Sequence, residues 1–222
     1  MEKGAPIRKR LIVLSLAGLI SGFFYVPFVG ARGTNLSTLA PWLEWTLGAF
    51  AATLVCAWVG LIIADRGNLP MPFLRPWELK QPSDKTDRQS FVRICFAVGG
   101  IFGLLATLVV HLFSLPTFPG NFGVRIATVP FAAIVAEVVG HLFLMSVLMV
   151  LTRRSMLAIL ISALVFPFIS HPSVVMLAPA VISLAMIQYL LGVATGWVYS
   201  RYGIEGAALT HAVASIILLG IN

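Results

Sequence analysis

Apolar runs of about twenty residues follow one another along almost the whole chain, with a single long polar interval between them. A helix of that length spans the hydrocarbon core of a bilayer, about 30 Å thick, and satisfies its own backbone polar groups as lipid requires. A chain built this way folds as an all-α, polytopic transmembrane helix bundle. Charged residues make up 10% of the 222 positions and hydrophobic ones 59%, too few polar groups to clothe a core of that size in water.

The apolar pattern predicts about seven spans. The first runs from Leu11 to about Gly30 behind Lys3, Arg8, Lys9 and Arg10. It exceeds the ~7–15 apolar residues of a signal-peptide core and is therefore expected to be retained. The next spans are expected over Trp42 to Ile63, Phe91 to Phe113 and Val124 to Leu151. A short fifth covers Met156 to Ser170, a sixth Val174 to Tyr199, and the last starts near Gly206. Pro167 lacks a backbone donor and is expected to kink or end the fifth span near His171. Residues 65–90 carry Pro70, Pro72, Pro76 and Pro82 among charged residues and are expected to form a polar cytoplasmic loop, with Phe73 and Trp77 at the membrane surface. The chain reads as one membrane domain over 1–222.

The net charge of +7 reports orientation rather than nucleic acid, because the basic residues gather at span ends and form no polar face interleaved with aromatics. The N-terminus, the 65–90 loop, Arg153, Arg154 and Arg201 fall on one side of a seven-span chain, while Arg32 and Arg125 fall on the other. That count places the N-terminus in the cytoplasm and the C-terminus outside, in an inner or plasma membrane. Cys56 and Cys95 lie in apolar segments as packing residues. Gly18/Gly22, Gly99/Gly103 and Gly192/Gly196 have GxxxG spacing, which suits close packing within the bundle. Homo- or hetero-oligomerisation stays open.

Ionisable groups inside the hydrocarbon cost about 2.5–3.5 kcal/mol each on insertion scales, so they persist where they pair or work. Glu137 sits in the middle of the fourth span and His141 follows on the same helical face. His211 lies in the last span with Ser215 one turn further on, and His171 closes the fifth. His111 ends the third span without a polar companion and is expected at the interface. If the three faces converge, a glutamate and three imidazoles share a desolvated pocket. A glutamate beside a histidine can act as general base on water, with a second histidine or a hydroxyl stabilising the oxyanion. The same set could bind a transition metal, although the spacing lacks the HExxH pattern of zinc sites. The competing account is a structural hydrogen-bond pair tying helices together.

These residues resemble the CPBP family, the CAAX-prenyl-protease and bacteriocin-processing intramembrane proteases also called Abi proteins. Its pattern is EExxxR on one span, FxxxH on the next and HxxxN or HxxxD on a late span. Here Ala136-Glu137-Val138-Val139-Gly140-His141 stands at the first, FPFISH ending in His171 at the second, and His211-Ala212-Val213-Ala214-Ser215 at the third. The lead-in GVATGWVYSRYGIEGAALT is similar to the family's glycine-rich approach to its last motif. The resemblance covers about Phe131 to Leu219 within a core of 124–222. Ala136 replaces the first glutamate, the one assigned to water activation; His141 replaces the arginine and Ser215 the Asn or Asp. Phe166 stands one residue too early, leaving Pro167 at the phenylalanine position.

The resemblance implies a glutamate-dependent endopeptidase acting on membrane-embedded or lipidated peptides, with Glu137, His141, His171, His211 and Ser215 as its site. The alternative is a catalytically inactive CPBP-like subunit or adaptor that binds a partner membrane protein, a pigment or a metal. A transporter fits less well, since the sequence shows no internal repeat or paired broken helices. The lipid bilayer is the partner in either case.

Overall fold

The computed structural model describes residues 7–67, 85–114, 120–170 and 179–221. Among them every regular element is helical: α1 (Arg8–Ala31), α2 (Leu39–Arg66), α3 (Lys85–Leu112), α4 (Phe122–Thr152), α5 (Ser155–Ser170) and α6 (Pro179–Ile221). Five of these helices have stretches long and apolar enough to cross a membrane, and the apolar stretch Ser155–Val165 of α5 is shorter. Large apolar side chains such as Ile12, Phe23, Trp58, Ile101, Leu104 and Leu164 cover the outside, the arrangement of a protein whose solvent is lipid.

The helix ends differ from the sequence expectation at two places. The 65–90 interval is helical at both margins, because α2 continues through Arg66 and α3 begins at Lys85. No proline follows Pro82 there, so nothing in the Lys85-Thr86-Asp87-Arg88 stretch bars a helix from extending past the apolar run. Phe73 and Trp77 lie outside the described residues. The fifth helix runs on beyond Pro167 to Ser170. Proline is tolerated inside membrane helices when neighbours re-satisfy the freed carbonyl, and α1 likewise passes through Pro27.

In place of a loop between the expected sixth and seventh spans, α6 has a break of one residue. Gly203 has φ 69° and ψ −167°, a conformation only glycine adopts readily. The chain reverses there. Gly192 and His211 both hydrogen-bond the Glu137/His141 pair, yet a straight helix would hold residues nineteen apart roughly 28 Å from each other. The two arms pack as a hairpin in which a side chain at Gly206 would collide with Val198 and Tyr202.

Close helix approach organises the rest. Gly22 of α1 leaves room for Ala49 of α2, and Gly99 and Gly103 of α3 leave room for Thr210 and Ala214 of the second α6 arm. These glycines face neighbours within the bundle, as their spacing suggests. Gly60 of α2 touches the backbone of Leu142, which draws α4 into the centre. Arg10, read from sequence as one of the basic residues at a span end, is instead buried at 1% exposure and forms a two-pronged ion pair with Asp65, at 2.8 and 2.6 Å, that ties the start of α1 to the end of α2.

Candidate functional site

The centre of the bundle is α4, and its winding is unusual. Asn121 caps the N-terminus by accepting the Val124 N–H at 3.0 Å, and the last turn ends at Arg153 in the left-handed conformation. Between them the backbone winds as π-helix over Ala132–Ala136 and again over Val138–Met145, with Glu137 at the junction. π-turns occur mostly as single turns and often at functional sites. Here they occupy the segment that carries Glu137 and His141.

Glu137 is fully buried, and both of its carboxylate oxygens accept hydrogen bonds from imidazoles. His141 Nδ1 donates to Oε2 at 2.5 Å from one turn along the same helix. His211 Nδ1 donates to Oε1 at 2.7 Å from the second arm of α6, 74 residues away in the chain. The far nitrogen of His141, Nε2, lies 3.1 Å from the carbonyl oxygen of Gly192 on the first arm. Both nitrogens of His141 thus face oxygen atoms of neighbouring groups. Gly196, one turn on, lets the ring fit: a Cβ there would sit 3.2 Å from Nε2.

A second buried polar contact continues the seam. Tyr199 and Ser146, both fully buried, share a hydrogen bond of 2.7 Å, and the Tyr199 ring centroid is 6.1 Å from that of His141. Neither residue stands out in the sequence, because hydroxyls are common in membrane helices. The closer signal for Tyr199 was its place in the glycine-rich lead-in GVATGWVYSRYG.

Of the residues singled out by sequence, Glu137, His141 and His211 therefore meet. His171 lies outside the described residues. Ser215 is half-buried one turn beyond His211, and among the described residues no hydrogen bond joins it to Glu137, His141 or His211. His111 is exposed near the end of α3, and its Nδ1 binds the Thr107 carbonyl of its own helix at 3.0 Å. Among the described residues no three His, Cys, Asp or Glu side chains are placed to hold one metal ion. The Nδ1 atoms of His141 and His211 are already spent on the carboxylate. No family model, curated protein or solved structure matches the chain.

Proposed function

We propose that the chain is a CPBP-like intramembrane endopeptidase whose general base is Glu137, acting on membrane-embedded or lipidated peptides in an inner or plasma membrane. The observation that carries this reading is the Glu137–His211 hydrogen bond. Two motifs 74 residues apart in sequence, read as one site from their residue types, share a carboxylate 2.7 Å from an imidazole.

Each carboxylate oxygen accepts one histidine N–H and keeps a second lone pair for water. Glu137 takes a proton from that water as its oxygen bonds to the peptide carbonyl carbon. The C–N bond then breaks, and the proton passes from Glu137 to the leaving amine nitrogen. His211 and His141 fix the carboxylate through this exchange. His171, by its place in the second motif, is assigned to the oxyanion.

A seven-pass topology with a cytoplasmic N-terminus goes with this function. The Gly203 hairpin makes two passes of α6, and α5 supplies one more. The contacts run in the senses that topology needs: α1 and α2 antiparallel, α4 parallel to the first arm of α6, and α3 parallel to the second. The Arg10–Asp65 pair, Arg153, Arg154 and Arg201 then share the cytoplasmic side.

A second reading, a catalytically silent membrane subunit, is favoured by one observation: Glu137 and His141 are wholly sealed and Gly192 closes the far side of the His141 ring. Cleavage of candidate hydrophobic peptides by the reconstituted wild type and by Glu137→Gln separates the two. Cleavage lost in the variant supports the endopeptidase; cleavage undiminished in it removes Glu137 as the base, and cleavage absent from both supports the silent subunit.

A further inference from the structure

Two buried polar groups near the cluster are left without a partner among the described residues, the hydroxyl of Thr210 beside His211 and an oxygen of Gln188. Gln188 on the first arm of α6 is 8% exposed, and its carboxamide oxygen has no hydrogen-bond partner among the described residues. An unpaired buried acceptor costs about 1–3 kcal/mol, so native proteins keep one mainly where something outside the chain supplies the donor.

The position of Gln188 follows from the contacts around it. Gln188 precedes Tyr199 by eleven residues, about three helical turns, so the two point the same way. Tyr199 reaches Ser146, which fixes that direction as toward α4. Height along the seam follows from the parallel packing of α4 and this arm. His141 pairs with Gly192 at a separation of 51 residues, and the same offset sets Gln188 level with Glu137. The amide therefore faces α4 at the turn that carries the carboxylate.

Several donors nearby are committed elsewhere. Thr195 gives its hydroxyl proton to the Leu191 carbonyl at 3.0 Å, Tyr199 and Ser146 bind each other, and His141 and His211 turn their Nδ1 atoms to Glu137. A water has two protons and can bridge two acceptors.

We infer that Gln188 is the water-positioning residue of this site: its carboxamide oxygen and the Glu137 carboxylate hold one water between them. In the endopeptidase reading, on which its mechanistic role rests, that water is the one Glu137 deprotonates. Gln188 accepts the proton that stays on the oxygen and so aims a lone pair at the peptide carbonyl.

The test is a crystal structure of the full chain in a lipid mesophase, at a resolution that orders water, for the wild type and for Gln188→Met. The methionine keeps the length of the side chain and removes the acceptor. Density for a water within hydrogen-bond distance of both Gln188 Oε1 and Glu137, lost in Gln188→Met, supports the inference. A protein donor on Oε1, His171 included, no water there, or a water retained in the variant overturns it. Should Gln188→Met fail to fold, the wild-type structure decides alone. Where the wild type cleaves peptide, Gln188→Met lowers kcat about a hundredfold with KM unchanged, the cost of a misplaced nucleophile. An unchanged kcat overturns the positioning role. A bound water in a protein that cleaves nothing would remove the endopeptidase reading and leave the water site standing.

Discussion

Among the described residues, two buried carboxylate pairs differ in character. Arg10 and Asp65 meet at the ends of α1 and α2, where Asp65 keeps 24% of its surface exposed and the guanidinium binds both carboxylate oxygens. Glu137 lies in the middle of its span with no exposure, and its two oxygens go to histidines from separate segments. The first pair joins two helices at a surface where water can solvate the carboxylate. The second joins α4 to both arms of α6 where water has no ready access, and it sits in the π-wound stretch. Planar bidentate pairing from one guanidinium suits a clamp between two helices, whereas two imidazoles from separate segments converge on one carboxylate in the second pair.

Removing one partner from each pair should widen this contrast most. Glu137→Ala takes the shared carboxylate away from the Nδ1 atoms of His141 and His211, and a loss of about 3–5 kcal/mol is expected from breaking a buried pair this way. Arg10→Ala leaves Asp65 able to hydrate, so a smaller loss of about 1–3 kcal/mol is expected. Unfolding of the reconstituted variants by denaturing detergent measures both. Equal losses would show that the two pairs have the same role.

The packing around the central helix gives the next effect. Gly60→Ala drives a methyl into the Leu142 backbone and should cost about 1–3 kcal/mol, the usual scale of overpacking. Tyr199→Phe removes one hydroxyl from the Ser146 contact and should cost about 1 kcal/mol while leaving the Glu137 hydrogen bonds in place. The smallest effect has the opposite sign. A methyl at Gly100 meets nothing within 4 Å, so Gly100→Ala should raise stability by up to about 1 kcal/mol through helix propensity. A destabilised Gly100→Ala would mean that the outer face of α3 is covered by a partner.

The sequence made some of this legible and hid the rest for physical reasons. Apolar length alone marks the helices, since lipid admits little else, and Glu137 is conspicuous because a charge inside a span is expensive. That His211 meets it depends on long-range folding, and the order of motifs supplied the only clue. Gln188 and Ser146 are uncharged, and such groups occur throughout membrane helices as packing residues. The π-winding of α4 depends on which carbonyl each N–H reaches once neighbours press on the helix, which residue type does not encode. Arg10 misleads for a related reason: a basic residue at a span end reads as an interfacial anchor, and only the fold brings Asp65 to it. Ser215 shares the face of His211 in sequence, yet geometry leaves it outside the hydrogen-bonded cluster.

The most direct measurement takes cleavage rate and unfolding stability on the same lipid-reconstituted preparations of the wild type and Glu137→Gln. The amide keeps the shape of the side chain and an acceptor oxygen while losing its basicity. Loss of cleavage by about a hundredfold or more, with the folded state retained, is the result predicted for a general base. Cleavage at the wild-type rate by a folded Glu137→Gln variant would contradict it.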